Sequence, residues 1–174
     1  MDNLNELLFR ALNLHKEGKL SGTDDLYRSL IGAIGESQIV SLTEGKSVNG
    51  KWDVEGKVNF TGRIEVKTAN KSTDGKLGAW SLKCKHMMCD WVALVDASNL
   101  ENNEYRISMI PHDEFFKFLF TPNKNGNCPD YIRWSANYNE EDNKSPEATE
   151  LFLKHEVNLS EFEPFYWHYQ ESLI

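Results

Sequence analysis

The stretch RIEVKTA, residues 63–69, decides both the predicted fold and the predicted site. In an extended strand, successive side chains point to opposite faces, so Ile64 and Val66 can enter a core while Glu65 and Lys67 share the other face. The stretch therefore predicts a β-strand that carries a carboxylate and an ammonium on one surface.

A second alternating stretch, KWDVE at residues 51–55, precedes this strand. The segment 56–62 is short enough to fold the two stretches into a hairpin, which would place Asp53 beside Glu65. Carboxylates are hard oxygen ligands of the kind that Mg²⁺ prefers, and a lysine such as Lys67 can orient or help deprotonate a water molecule. The hairpin thus predicts chemistry on phosphate esters.

These residues resemble the PD-(D/E)xK nuclease superfamily, the fold of type II restriction endonucleases, with Asp53 as its first acid and EVK at 65–67 as its ExK motif. Trp52 stands where the family name has a proline. The resemblance covers about residues 24–110. It implies an α/β fold with a central mixed sheet of four to five strands, helices on both faces and a core order of α-β-β-β-α-β.

The resemblance also implies a role for each site residue. Asp53 and Glu65 would bind Mg²⁺, for which Mn²⁺ could substitute, and the backbone carbonyl of Val66 would be a further ligand. Lys67 would orient or activate the attacking water. Glu36, at the end of the predicted first core helix, matches a glutamate that often completes the metal site of this family; the competing interpretation is a surface acid at a helix end.

Length and composition agree with one soluble domain over residues 1–174. It would comprise a nuclease core at about 24–110 and a helical, aromatic and acidic C-terminal extension at about 111–174. No apolar run reaches the roughly 20 residues that span a bilayer, and the N-terminus lacks a signal-peptide core. The three cysteines fit a reducing compartment. We therefore expect a cytoplasmic protein without membrane association.

The formal net charge of −8 is unusual for a DNA-binding protein, but its distribution is uneven. Residues 46–85 hold nine Lys or Arg against four acids, a balance of +5, so the remainder carries −13. A positive surface beside a metal site suits phosphate binding, whereas the competing interpretation is a solvated lysine-rich face. The residues predicted to contact DNA are Lys51, Arg63, Lys71, Lys76, Lys83, Lys85 and His86.

A helix is predicted from about Thr23, which can cap it, through an apolar pattern that contains Gly32 and Gly35. Because glycine lowers helix propensity, these two residues indicate close packing of the helix on a sheet. Residues 38–42 are then predicted to form a short first strand.

Two later strands are predicted from their apolar character. Residues 90–96 form the clearest buried strand, expected beside the ExK strand, and residues 105–110 should pair with it. The segment 80–86 alternates with period 2, whereas the family commonly has a helix there, and the sequence leaves this open. A helix begins near 111–114 and leads into an aromatic cluster at 115–120, expected in the core or a dimer interface.

Other chemistries have weaker support. Cys84, His86 and Cys89, with Cys128 far away, match no common zinc spacing. No nucleophile elbow and no phosphate-binding glycine loop is present, so no nucleotide cofactor is expected. The leading prediction is a Mg²⁺-dependent, homodimeric restriction-like endonuclease acting on double-stranded DNA. The alternatives are a junction-resolving, repair or phage-related nuclease of the same fold, or a non-catalytic acidic interaction or immunity module.

Overall fold

The computed structural model describes residues 10, 11, 13, 14, 17–20, 25–70, 79–83, 88–100, 104–119, 131–134 and 146–161. Its helices are α1 (Asp25–Thr43), α2 (His112–Leu119) and α3 (Pro146–Lys154), followed by a 3₁₀ turn at Leu159–Glu161. Its strands are β1 (Lys46–Ser47), β2 (Val54–Gly56), β3 (Gly62–Ala69), β4 (Trp80–Lys83), β5 (Trp91–Asn99), β6 (Glu104–Pro111) and β7 (Tyr131–Trp134). None of the described helices combines the length and apolar character needed to cross a bilayer.

A five-stranded mixed sheet in the order β1-β2-β3-β5-β6 forms the centre of the described part. The predicted hairpin is present, because β2 pairs antiparallel with β3. β5 lies parallel to β3, with Val92 opposite Glu65, and β6 is antiparallel to β5. The predicted position of 90–96 beside the ExK strand and the pairing of 105–110 with it are therefore confirmed.

Helices cover both faces of this sheet. Leu94 of β5 belongs to a buried cluster with Phe115 of α2 and Phe152 of α3. Val95 points to the opposite face and packs in a cluster with Ile39 of α1. A strand buried on both faces must be apolar along its whole length, which explains the continuous apolar run that the sequence shows here. The α/β architecture with a sheet flanked by helices is confirmed.

The predicted short strand at 38–42 is wrong, because α1 continues without a break to Thr43. The buried side chains of α1 recur at intervals of three or four residues from Tyr27 to Leu42, which is helical spacing. The Thr43 hydroxyl donates to the Ile39 carbonyl at 2.7 Å, a bond made one turn apart in a helix. Five residues were too short a window to distinguish the two periods.

Gly35 explains how closely α1 approaches the sheet. A Cβ at this position would overlap the hydroxyl oxygen of Thr68 on β3, so a larger residue fits only if the Thr68 side chain or the helix shifts. Gly32, by contrast, faces open space. The prediction of close helix–sheet packing is therefore confirmed for Gly35 and wrong for Gly32.

The ambiguous segment at 80–86 begins as a strand. Trp80–Lys83 forms β4 and pairs with β7 in a separate two-stranded sheet. Trp80 is buried, and its indole N–H donates to the Val95 carbonyl of the central sheet at 3.0 Å. Between β3 and β5, the described residues 79–83 and 88–90 contain no helix, and residues 71–78 and 84–87, where the resemblance would allow one, lie outside the described residues.

Candidate functional site

The candidate site lies along the edge of β3 where β2 has ended. Val54, the first residue of β2, pairs with Ile64, so β3 continues beyond its partner. Asp53 fills this gap: its N–H donates to the Ile64 carbonyl at 3.0 Å, and its Oδ2 accepts the N–H of Val66 at 2.8 Å. The Asp53 side chain thereby replaces a backbone acceptor of the sheet and is held beside the ExK residues.

The ammonium of Lys67 lies at the centre of the site. Its Nζ donates to Oε1 of Glu65 at 2.5 Å and to the backbone carbonyl of Val66 at 3.0 Å, and it lies 3.6 Å from Oδ2 of Asp53. The exposed fractions of the three charged side chains are 28% for Lys67, 16% for Glu65 and 29% for Asp53. The predicted trio is therefore assembled, partly shielded from solvent but reachable.

Glu36 reaches this site from α1. It lies in the body of the helix rather than at its end, because α1 extends seven residues further, to Thr43. Its Oε2 accepts a hydrogen bond from the hydroxyl of Ser47 on β1 at 3.4 Å. The charges of Asp53 and Lys67 influence its pKa, so Glu36 lies near these two residues.

The site holds more negative charge than it neutralises. Burial raises the pKa of Glu65, against the opposing effect of the Lys67 ammonium. Burial also raises the pKa of Glu36, and the neighbouring charge of Asp53 raises it further. Both shifts have the same origin, since a partly desolvated carboxylate with too little positive charge nearby prefers its proton. With all three acids ionised, one ammonium leaves a formal charge of −2.

The chemistry of these donors fits a hard divalent cation. Asp53, Glu65 and Glu36 offer carboxylate oxygens, and the Val66 carbonyl points to the same strand edge. Within the described ranges, no three His, Cys, Asp or Glu side chains converge into a preformed metal-holding group. The oxygens of Asp53, Glu65 and Val66 are instead arranged around the Lys67 ammonium, so this position already holds a positive charge.

Of the residues predicted to contact DNA, Arg63 and Lys51 have described side chains. Arg63 forms a two-pronged pair with Asp90, at 3.0 Å from Nε to Oδ2 and 2.9 Å from Nη2 to Oδ1, and its guanidinium lies 5.6 Å from the ring centre of Trp52. The Lys51 ammonium lies 3.7 Å from the sulfur of Met88. Lys83 lies on β4 with only its backbone described, while Lys71, Lys76, Lys85 and His86 lie outside the described residues.

Asp90 is a structural residue that the sequence did not single out. It accepts the Arg63 backbone N–H at 2.8 Å as well as the guanidinium, and these hydrogen bonds lower its pKa to about 2. Its backbone N–H donates to the Arg63 carbonyl, and its carbonyl accepts the backbone N–H of His112. Asp90 therefore connects the start of β3 with the start of α2. The feature of the sequence that could have identified Asp90 is its position as an acid directly before the apolar strand β5. A side chain at such a position can accept hydrogen bonds from backbone groups at strand ends.

Cys89, which the sequence placed in a doubtful zinc motif, is buried in the hydrophobic core beside Trp80 and Val92. Burial raises the pKa of its thiol to about 11, and the nearby charge of Glu65 adds to the rise. A thiol of this kind stays protonated at neutral pH and is a poor metal ligand or nucleophile. Its described surroundings are those of a small apolar residue.

An open depression of about 510 Å³ lies away from this site, between β6 and the segment after α3. Arg106 and Glu156 line it and satisfy one another through two hydrogen bonds of 2.6 Å. None of the predicted catalytic residues lines it. We favour the edge of β3 as the candidate site, because Asp53, Glu65 and Lys67 lie together there.

The sequence was compared with protein-family models and with curated proteins, and neither comparison gives a match. The class of the protein is therefore defined by its α/β architecture and by the charged residues at the edge of β3.

Proposed function

We propose that the protein is a Mg²⁺-dependent endonuclease that hydrolyses the phosphodiester bonds of DNA. The observation that carries this proposal is the meeting of Asp53, Glu65 and Lys67 at an open strand edge, where Lys67 Nζ lies 2.5 Å from Glu65 and 3.6 Å from Asp53. The resemblance of these residues to the PD-(D/E)xK superfamily supports it. Mn²⁺ should substitute for Mg²⁺.

Each residue has a distinct role in this proposal. Asp53, Glu65 and the Val66 carbonyl would hold the metal ion, and Glu36 would add a carboxylate to its surroundings. Bound Mg²⁺ supplies charge that stabilises the phosphodiester transition state and lowers the pKa of water. Lys67 would donate a hydrogen bond to the attacking water and orient it, since its flexible side chain lies beside the residues that would hold the metal.

The substrate that we favour is double-stranded DNA, cut at specific sequences by a homodimer. Two symmetry-related active sites are the simplest means of cutting both strands of a duplex. Lys51 lies two residues before Asp53, and Arg63 lies two residues before Glu65. We propose that these two residues contact phosphates that flank the cut. Junction resolution, repair and phage-related cleavage require the same catalytic residues and differ in the DNA that binds.

The experiment is incubation of the full chain with phage, branched and single-stranded DNA, in Mg²⁺, Mn²⁺ or EDTA. We expect discrete duplex fragments with either metal, and a loss of rate of roughly 10²-fold or more in Lys67→Ala. Lys154→Ala is the matched control, because it removes a lysine from an ion pair with Glu114 that joins α2 and α3. Cleavage of branched DNA alone would assign a junction nuclease.

The second candidate is a non-catalytic acidic interaction module, which the net charge of −8 favours. It predicts no cleavage of any DNA and no effect of Mg²⁺. That result, with folded protein, would reject the nuclease. Cleavage that persists unchanged in Lys67→Ala would also reject it, because a contaminating enzyme would then be responsible.

A further inference from the structure

Three oxygens, from residues 53, 65 and 66, lie around the Lys67 ammonium. They are Oε1 of Glu65 at 2.5 Å, the carbonyl of Val66 at 3.0 Å and Oδ2 of Asp53 at 3.6 Å. These are the same oxygens to which the proposed function assigns Mg²⁺. The ammonium therefore occupies the position among the donors that a metal ion would take.

A lysine ammonium and a divalent ion cannot both occupy the position among these three oxygens. Mg²⁺ binds oxygen at about 2.0–2.1 Å, so a metal ion held by the same oxygens would lie where the ammonium now lies and compete with it for their lone pairs. The two cations would also repel one another, and more strongly in this partly buried site than in bulk water. The lysine side chain can leave, because its four-carbon stem is flexible and it is already partly exposed.

We propose that Lys67 is the resident counter-ion of the site and competes with the divalent cation for Asp53, Glu65 and the Val66 carbonyl. This inference rests on the proposed function, because it takes the metal site from it. In the metal-free protein, Lys67 neutralises part of the acidic cluster and keeps it folded against the strand edge. Metal entry displaces the ammonium, so the apparent metal affinity is lower than the acidic oxygens alone would give.

The test is the affinity of the full chain for Mn²⁺ and Mg²⁺ without DNA, by isothermal titration calorimetry. Lys67→Met keeps much of the stem but removes the charge, and we expect it to bind each metal roughly tenfold or more tightly than the wild type. Lys67→Arg keeps the charge and should bind no more tightly than the wild type. Lys154→Met, which removes the same charge from the α2–α3 pair, should bind like the wild type.

Thermal unfolding provides a second measurement on the same proteins. A metal that binds the folded state raises the melting temperature, so the increase should be larger for Lys67→Met than for the wild type. Lys67→Gln replaces Lys67→Met if the latter does not fold. Equal or weaker metal binding in the uncharged variant, or no binding in either protein, would overturn the inference.

The outcomes for the inference and for the proposed function are separable. Cleavage by the wild type without tighter binding in Lys67→Met would overturn the competition alone. Tighter binding in Lys67→Met without DNA cleavage by the wild type would retain the competition and reject the nuclease. Binding in Lys67→Met should disappear on the further change Glu65→Gln; if it persists, the metal binds elsewhere and the inference fails.

Discussion

The carboxylate of Asp53 accepts the backbone N–H of Val66 at 2.8 Å, so a proposed catalytic side chain also completes a strand edge. The same residue of β3 presents its carbonyl to Lys67 at 3.0 Å. Both backbone groups of Val66 therefore point to the edge that β2 leaves open. Asp53 therefore has a structural role, as acceptor of the Val66 N–H, and a proposed functional role, as metal ligand. Substitutions can separate the two roles.

Asp53→Ala should lower the free energy of unfolding by about 1–3 kcal/mol, because the N–H of Val66 loses its acceptor. Asp53→Asn should lower it less, since an amide oxygen can still accept that bond. Both variants should lose metal binding and cleavage. Urea unfolding measures the first effect, with Glu55→Ala on the exposed face of β2 as a control that stays within about 0.5 kcal/mol. Equal destabilisation by Ala and Asn would contradict this explanation.

Gly35→Ala should destabilise the fold by about 1–3 kcal/mol, because its Cβ would overlap the Thr68 hydroxyl and push α1 away from β3. Gly32→Ala has open space and should stabilise α1 by about 0.5–1 kcal/mol. Adding Thr68→Ala to Gly35→Ala should recover part of the loss. Chemical unfolding of these three variants and the wild type tests this, and a neutral Gly35→Ala would show that Thr68 or the helix can shift at no cost.

Glu36→Gln should raise the free energy of unfolding at about pH 7, and the gain should disappear toward about pH 4. Burial and the Asp53 charge raise the pKa of Glu36 in the folded state. An acid with a raised folded pKa destabilises the protein when it is ionised, and this cost vanishes once the pH falls below its ordinary value. Unfolding at both pH values measures the difference, with exposed Glu55→Gln expected to give no such gain.

Asp90→Asn should lower the free energy of unfolding by about 1 kcal/mol near neutral pH, a modest effect because Arg63 and Asp90 are 40% and 43% exposed and solvent screens the pair. The folded pKa of Asp90 is lowered to about 2, so its stabilisation exists above its ordinary pKa of about 3.9 and is lost as the pH falls through about 2. The difference in unfolding free energy between wild type and variant should therefore become smaller between about pH 3.9 and about pH 2. If the difference does not change with pH, the loss of stability comes from packing alone.

Local patterns predicted much of this arrangement. Alternation identified β3 with its outward Glu65 and Lys67, and the unbroken apolar run identified β5. One short connection made the hairpin predictable, because the five residues between Gly56 and Gly62 leave few alternatives to antiparallel pairing. The proximity of Asp53, Glu65 and Lys67 could be predicted because all three lie in one hairpin and are close in sequence as well as in space.

The rest depended on contacts between distant parts of the chain. Residues 38–42 are apolar enough for a strand, and their helical state is decided by packing of Ile39 and Leu42 on the sheet. From the sequence, the Arg63 charge was expected to be available for DNA, but its guanidinium is paired with Asp90, 27 residues away. Neither fact has a local signal, since both depend on which face of which element meets another.

The sequence by itself determined the sheet-forming segments and the acid, acid and lysine set of the hairpin, because period and short-range spacing are properties of neighbouring residues. Only the tertiary structure decided that Glu36 joins the set from the body of α1 and that the Lys67 ammonium lies among the oxygens. The physical reason is that side-chain position at the edge of β3 depends on helix packing, burial and unbalanced charge, which act across the whole fold.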